Sequence, residues 1–221
     1  SMALQTQINP HFYYNTLSSI MVLAENGDSE TVVKMCRNLS QIMRYITNTA
    51  ETTVTLKDEL DYVQKYLYCM KVRYQSSLNY IIHVDESLLS QPVPKLIIQP
   101  IVENAIRYGS NCAPPWNISI TSVVTEGSWQ IEVTDSGPGF TEEAKERITA
   151  NIMKAIQNPG LPELKINGLG TINVYLRWKM FCKGDIIFRY GNTAEGHGIV
   201  SIGRYFSRTD KSADKADCTS E

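Results

Sequence analysis

His11 is the residue whose chemistry and setting first suggest a reaction. It stands in a run that consists of Gln7, Ile8, Asn9, Pro10, His11 and Phe12, and Asn15 follows four positions after the histidine. An imidazole has an ordinary pKa of about 6.5, so its neutral form is a competent nucleophile for a phosphoryl group near neutral pH. A lone helical histidine is more often structural, and His83 and His197 are interpreted as structural or surface residues. His11 is therefore a candidate nucleophile.

The stretch from Asp135 to Gly139 is suited to holding a nucleotide base. It directly follows a predicted strand, and Gly137 and Gly139 let the backbone approach a ligand closely. The Asp135 carboxylate at the strand end can accept a hydrogen bond from an exocyclic amine such as that of adenine. Taken alone, the stretch is more often an ordinary turn.

A second glycine-containing stretch is suited to holding an anion. Gly168, Leu169 and Gly170 open a predicted helix at Thr171. The first amide groups of a helix and its dipole both attract a negative charge. An ordinary helix start explains the same residues when they are taken alone.

Glu103 and Asn104 are adjacent polar residues inside an otherwise apolar helical segment. Polar side chains in such a segment are costly if they are buried without partners, and a hydrated Mg²⁺ would supply partners. One turn further on, Arg107 can contact a phosphate and Tyr108 can stack or donate its hydroxyl. A solvent-facing helix edge is the alternative interpretation of the pair.

Helical segments with apolar stripes must position His11. The first helix either begins at Pro10, with Asn9 as N-cap, or continues through the proline with a kink. Two further stripes follow, one formed by Val32, Cys36, Leu39, Met43 and Ile46, the other by Leu56, Leu60, Val63, Leu67, Met70 and Tyr74. Thr55 and Asp58 resemble a capping box in front of the second stripe. Two short helices cannot bury such a seam alone, so we expect a dimeric four-helix bundle.

Beyond residue 75 the hydrophobic period changes between that of strands and that of helices. The predicted strands are Asn79–Val84, Asn117–Val124, Trp129–Thr134, Asp185–Tyr190 and Gly198–Phe206. The predicted helices are Lys95–Tyr108, Glu142–Gln157 and Gly170–Phe181. The order predicts an α+β fold with helices on one face of a mixed, largely antiparallel sheet. The polar residues 207–221 predict a disordered tail.

Composition excludes several functional classes. The chain has 221 residues, of which 43% are hydrophobic and 20% charged, so it is neither collagen-like nor fully disordered. Its net charge of −2 offers no basic surface, and we expect no nucleic-acid partner. Five cysteines without a C-x-x-C pair favour a reducing, cytoplasmic compartment. Since no apolar run is long enough to span a bilayer, we expect any membrane contact to come from segments outside this sequence.

Taken together and in order, these stretches resemble bacterial two-component sensor histidine kinases of the LytS/YesM kind. The resemblance spans about residues 4–206 and rests on four motifs around His11, Asn104, Asp135 and Gly170. It implies a homodimeric helical phosphoacceptor hairpin in residues 1–50 and a GHKL-type ATP-binding α/β sandwich in residues 51–206. In that second domain, residues 55–76 form a leading helix and residues 141–166 an ATP lid. It also implies the cytoplasmic part of a bacterial sensor that is anchored in the inner or plasma membrane.

The resemblance implies a role for each motif. His11 matches the phosphorylated histidine, Asn104 matches the magnesium-ligating asparagine, and Glu103 is its acidic neighbour. Asp135 matches the adenine-reading aspartate. The glycines around the nucleotide correspond to Gly137, Gly139, Gly168 and Gly170. Asn15 lies on the same helical face as His11 if the helix continues through both, where it would orient a water that dephosphorylates the partner.

The favoured interpretation is a kinase that transfers the γ-phosphoryl group of ATP to His11 and then to an aspartate of a response-regulator receiver domain. Three alternatives stay open. The first is a GHKL module that binds ATP as a switch or scaffold without autokinase activity. The second is an ATPase that uses Glu103 as base, and the third is an α+β interaction domain without nucleotide.

Overall fold

The computed structural model describes residues 10–157 and 170–206. Its helices are α1 (Pro10–Glu25), α2 (Ser29–Thr47), α3 (Leu56–Tyr74), α4 (Gln99–Gly109), α5 (Glu142–Gln157) and α6 (Gly170–Cys182). Its strands are β1 (Thr53–Thr55), β2 (Leu78–His83), β3 (Pro92–Pro94), β4 (Trp116–Val124), β5 (Ser128–Asp135), β6 (Ile186–Asn192) and β7 (Gly198–Tyr205). Helices at the start of the chain are thus followed by an α/β sandwich.

The main sheet is mixed and largely antiparallel, as expected. Its five strands lie in the order β2-β4-β5-β7-β6. Strands β2 and β4 are parallel, whereas the other three neighbouring pairs are antiparallel. The α+β fold class is therefore confirmed. The short antiparallel pair β1 and β3 was not predicted from the sequence.

Alternating apolar residues give the sheet one buried face. Trp129, Ile131 and Val133 of β5 are all buried. On this face Trp129 packs edge-on against Trp178 of α6, with ring centroids 5.9 Å apart. The Trp178 indole N–H donates to the carbonyl of Gly203 at 2.7 Å, which fixes α6 against β7.

Helix α3 begins and packs as its sequence predicts. The Thr55 side chain accepts the Asp58 amide at 3.2 Å, and the Asp58 carboxylate accepts the Thr55 amide at 3.0 Å, which completes the capping box. The predicted stripe is buried apart from the half-buried Tyr74. Phe12 of α1 lies against Tyr66 of α3, with ring centroids 4.9 Å apart. Helix α3 thus covers one face of the α1–α2 hairpin within the same chain.

The predicted seam of α2 is only partly buried within the chain. Leu39 and Ile46 are buried, but Cys36 is exposed and Met43 is 49% exposed. The buried positions of α2 are Met35, Leu39, Ile42 and Ile46. The buried face is rotated relative to the prediction because α3 decides which face of α2 is covered.

Helix α4 starts later than predicted. The first four residues of the predicted segment 95–108 are not helical, and Leu96 has a positive φ of 59°. Such a φ disrupts a right-handed helix, so the chain turns at Leu96 and the helix starts at Gln99.

Helix α5 has the predicted bounds, Glu142–Gln157, and has no buried side chain. Residues 158–166 of the predicted lid and the predicted tail 207–221 lie outside the described residues. Asn9 does too, so the two interpretations of the Pro10 start both stay predictions. None of the described helices is both long enough and apolar enough to cross a bilayer.

Candidate nucleotide-binding site

A pocket opens where α4, the end of β5 and the start of α6 meet. Its lining is apolar with a few polar groups, a composition typical of ligand sites. The lining residues are Ile101, Asn104, Ala105, Tyr108, Val133, Asp135, Phe140, Thr171 and Val200. Four predicted site residues, Asn104, Tyr108, Asp135 and Thr171, are thus brought together.

Asn104 and Thr171 join the two helices that border the pocket. The Asn104 amide nitrogen lies 3.5 Å from the Thr171 hydroxyl oxygen. Gly170 starts α6 directly beside this pair, and a Cβ on it would lie 3.2 Å from the Asn104 amide nitrogen. The start of α6 therefore lies beside the carboxamide of Asn104. Gly168 and Leu169 lie outside the described residues.

Asp135 ends β5 with its carboxylate beside the pocket. Its Oδ1 accepts the Gly137 amide at 2.8 Å. Burial raises the pKa of the Asp135 carboxyl, and the amide hydrogen bonds from Gly137 and Gly198 together with the charge of His197 oppose that rise. The pocket therefore contains a partly desolvated acid that can accept a hydrogen bond from an amine.

The glycines after Asp135 are required by close backbone approach. A Cβ on Gly137 would lie 2.7 Å from Asp135 Oδ1 and 3.0 Å from the Cα of Gly109. Gly139 has a φ of +72°, and a Cβ there would lie 2.4 Å from the Gly196 carbonyl oxygen. Side chains at these two positions would displace the loop that holds Asp135.

The β6–β7 turn braces this loop, which the sequence did not reveal. Asn192 Oδ1 accepts the Phe140 amide at 2.7 Å, and Asn192 Nδ2 donates to the Phe140 carbonyl at 3.0 Å. His197 Nδ1 lies 3.0 Å from the Gly137 carbonyl oxygen. Asn192 and His197 therefore hold the loop that carries Asp135 and its glycines, and this contact of His197 is consistent with its interpretation as a structural residue. The one local feature of the sequence that relates to this contact is the position of Phe140 directly after Gly139.

Glu103 and Arg107 of α4 do not line the pocket. Gln99 donates to Glu103 Oε1 at 2.7 Å. Burial raises the pKa of Tyr13 and of Tyr66, and the charge of Glu103 raises both further, which is consistent with a carboxylate on the side of α4 that faces α1 and α3. Burial raises the pKa of Glu103, and the hydrogen bond from Gln99 opposes this rise. The exposed Arg107 guanidinium lies 5.7 Å from the ring centroid of Tyr108.

His11 and Asn15 both lie in α1, as their spacing required. His11 is exposed in the first turn, and Asn15 is half-buried one turn later. Asn15 borders a groove of about 330 Å³ between α1 and the end of α3, which shares no lining residue with the pocket described above. The candidate phosphoacceptor helix α1 therefore contributes no residue to the pocket, which is lined by other elements later in the chain.

Comparison with known proteins identifies the family. A sequence model described as "Histidine kinase" matches residues 1–78. A second, described as "Histidine kinase-, DNA gyrase B-, and HSP90-like ATPase", matches residues 91–202, which is half of the chain. The chain belongs to the histidine kinase-, DNA gyrase B- and HSP90-like ATPase family. This GHKL-type assignment agrees with the α/β sandwich and the mixed sheet described above.

Curated relatives of this GHKL chain are sensor histidine kinases. It is 36% identical over 139 residues to the sensor histidine kinase YesM of Bacillus subtilis, with 62% of this chain and 24% of that protein covered. It is 32% identical over 201 residues to the sensor protein LytS of Oceanobacillus iheyensis, with 90% and 33% covered. The chain therefore spans a quarter to a third of the length of these relatives. The resemblance to LytS/YesM sensor histidine kinases is confirmed.

A solved structure is also similar. The nucleotide-free catalytic domain of the histidine kinase ThkA matches with a TM-score of 0.47 and 21% identity, covering 70% of this GHKL chain and 95% of that domain.

Proposed function

We propose that this chain is the phosphoacceptor and ATP-binding part of a sensor histidine kinase that phosphorylates its own His11. The carrying observation is the convergence of Asn104, Asp135 and Thr171 on one pocket, in a chain that also has an exposed histidine in the first turn of α1. The family supports ATP binding, and the names of the relatives support the kinase class.

The pocket residues fit ATP. Asp135 can accept a hydrogen bond from the adenine amine, and Gly137 and Gly139 allow the tight loop that holds this aspartate. The first amides of α6, at Gly170 and Thr171, suit phosphate oxygens. The proposed phosphate contacts of Arg107, Gly168 and Leu169 and the stacking of Tyr108 belong to the same hypothesis.

Asn104 is the proposed ligand for Mg²⁺. In residues 10–157 and 170–206 no cluster of three or more His, Cys, Asp or Glu side chains is arranged to hold a metal. Magnesium in nucleotide sites is commonly held by one or two protein oxygens together with phosphate oxygens, and the Asn104 carboxamide fits that pattern. When bound, the ion would neutralise phosphate charge.

In the proposed transfer step, the imidazole of His11 is the nucleophile. A lone pair of one imidazole nitrogen attacks the γ-phosphorus, a P–N bond forms, and the bond from that phosphorus to the β–γ bridging oxygen breaks, so that ADP leaves. The other ring nitrogen releases its proton to solvent. The protein contributes mainly positioning, through α1 for the histidine and through α4 and α6 for the nucleotide. Glu103 stays a predicted participant as the acidic neighbour of Asn104.

The proposed partner is the receiver domain of a response regulator, whose aspartate takes the phosphoryl group from His11. Asn15 lies one helical turn after His11 on α1, which supports the proposal that it orients a water for dephosphorylation of that partner. An Asn15→Ala variant that retains full phosphatase activity would refute this role.

The proposed assembly is a homodimer formed by the α1–α2 hairpin. Both helices expose apolar side chains that α3 does not cover, namely Tyr14, Leu17, Met21, Val33 and Met43. Such positions at helical spacing suit pairing with a second hairpin. We place the domain division near residue 50, between α2 and β1. The cytoplasmic location and the membrane-anchored receptor stay predictions from the resemblance.

Labelling with radioactive ATP tests the function. Purified wild-type chain with [γ-³²P]ATP and Mg²⁺ is expected to gain acid-labile, base-stable label, and His11→Gln is expected to gain none. His83→Gln is the matched control, because His83 is exposed in β2, an edge strand of the sheet. Label retained in His11→Gln would refute the proposed acceptor.

The same assay separates the alternative functions. ATP binding without label in the wild type would indicate a switch or scaffold. Release of phosphate that His11→Gln does not change would indicate an ATPase. No binding of ATP at all would leave only an interaction domain.

A further inference from the structure

The start of α4 is held by a carboxylate from another helix. Ile98 at the N-cap position makes no capping hydrogen bond with its own side chain. Instead, Glu59 of α3, which is fully buried, accepts the amides of Leu96, Ile97 and Ile98 at 2.5, 2.8 and 3.1 Å. Consecutive amides around a residue of positive φ form an anion-binding concavity, and here the anion is internal.

Arg177 of α6 holds the same segment from its carbonyl side. Its guanidinium donates to the Leu96 carbonyl at 3.1 Å and to the Lys95 carbonyl. Residues 95–98 are therefore fixed between α3 and α6. Because α4 and α6 contribute Asn104 and Thr171 to the pocket, this segment sets the relative position of two nucleotide-binding elements.

The α1–α2 hairpin contacts the same Glu59 carboxylate through Tyr45. The Tyr45 hydroxyl donates to Glu59 Oε1 at 2.5 Å. Next to it, the Lys95 ammonium donates to the Asn48 carbonyl at 2.5 Å, just after α2 ends, and lies 4.6 Å from the Tyr45 ring centroid. One carboxylate thus accepts hydrogen bonds both from the hairpin and from the start of the nucleotide-binding helix.

We propose that Tyr45 is a positioning residue that couples the hairpin to ATP affinity through Glu59. This rests on the proposed function, since it takes the pocket to be an ATP site. Tyr45 does not line the pocket, so its influence on the nucleotide passes through the Glu59 carboxylate and the amides of residues 96–98. By thermodynamic reciprocity, bound nucleotide strengthens the contact of α2 with α3 by the same factor.

Tyr62 provides a matched control. It is buried beside Tyr45, with ring centroids 4.7 Å apart, and its hydroxyl has no hydrogen-bond partner among the described residues. Tyr62→Phe and Tyr45→Phe each remove one hydroxyl from the same stacked pair. Only Tyr45→Phe removes a donor from Glu59.

The test is the dissociation constant of a non-hydrolysable ATP analogue, measured by calorimetry at a temperature where every variant is folded. We expect Tyr45→Phe to weaken binding by about five-fold or more, within the usual range of couplings between sites, and Tyr62→Phe to leave it unchanged. Glu59→Gln is expected to weaken binding further. Adding Tyr45→Phe to Glu59→Gln then has no additional effect, because the hydroxyl acts through that carboxylate.

Hydrogen exchange gives a second readout. On addition of the analogue, the amides of residues 43–48 in the wild type are expected to exchange more slowly, and this protection is lost in Tyr45→Phe. Wild-type affinity in Tyr45→Phe, or an equal loss in Tyr62→Phe, would overturn the role of Tyr45 while the ATP site stands. Failure of the wild type to bind the analogue would overturn both proposals.

Discussion

Replacing Asn192 by alanine removes both hydrogen bonds that hold the Phe140 backbone against the β6–β7 turn. The two bonds measure 2.7 and 3.0 Å, and Phe140 is the first residue after the glycine loop that follows Asp135. A hydrogen bond contributes about 0.5–1.5 kcal/mol net. Since Asn192 is exposed, we take the lower part of that range and expect a loss of about 1–2 kcal/mol for the pair.

That loss is expected to appear in ATP affinity, because the unbraced loop must be ordered when the nucleotide binds. A loss of about 1–2 kcal/mol corresponds to a dissociation constant that is about 5- to 30-fold weaker. The assay is calorimetric titration with a non-hydrolysable ATP analogue, together with thermal unfolding of the nucleotide-free protein.

Asn79→Ala is the matched control. Asn79 is an exposed asparagine of β2 that also makes two side-chain hydrogen bonds, with Lys71 at 2.9 Å and with Asn117 at 3.3 Å, but it does not line the pocket. We expect this variant to lose stability and to keep its affinity. Equal affinities for Asn192→Ala and Asn79→Ala would show that the turn does not position the loop.

Three further predictions follow from the geometry. Gly139→Ala places a side chain at a φ of +72° and 2.4 Å from the Gly196 carbonyl oxygen, so we expect ATP affinity to fall more than about ten-fold. Gly127→Ala is the control, because no atom lies within 4 Å of the added Cβ, and we expect it to bind ATP like the wild type. Leu17→Asp puts a charge on the exposed apolar face of α1, and light scattering is expected to show a dimer for the wild type and a monomer for the variant; a dimeric variant contradicts the proposed interface. Burial raises the pKa of Cys69 from 9.0 to about 12, so at pH 8.5 iodoacetamide is expected to label the exposed Cys36 and not Cys69 in the folded protein. Because the folded pKa is the higher one, the stability advantage of wild type over Cys69→Ala is complete below pH 9.0 and is lost as the pH rises to about 12, which denaturation at several pH values measures.

Elements whose signals are local were predictable. The bounds of α5 and the capping box of Thr55 and Asp58 depend on residues within one or two turns of each other, and both agree with the prediction. The position of Asp135 at a strand end, where it lines the pocket, was predictable because a strand followed by two glycines already indicates a carboxylate there. Local chemistry therefore suffices where the partners are neighbours in the sequence.

Features that depend on distant partners were missed. The buried face of α2 is set by α3, so the exposure of Cys36 and Met43 within the chain could not be predicted from the stripe alone. Helix α4 starts late because Glu59, 37 residues before Leu96 along the chain, binds its first amides. Asn192 braces Phe140 across 52 residues, and nothing in its own neighbourhood indicates that contact.

Helix α5 is a suitable position for an engineered insertion. None of its side chains is buried, and within the described residues its side chains make one hydrogen bond to another element, of 2.6 Å between Thr149 and Tyr190. A surface segment that buries so little contributes little to the free energy of folding, and lengthening such a segment costs little. Residues 142–157 are therefore the place where a ligand-responsive insert can be grafted next to the pocket while the core formed by the sheet and the other helices is left intact.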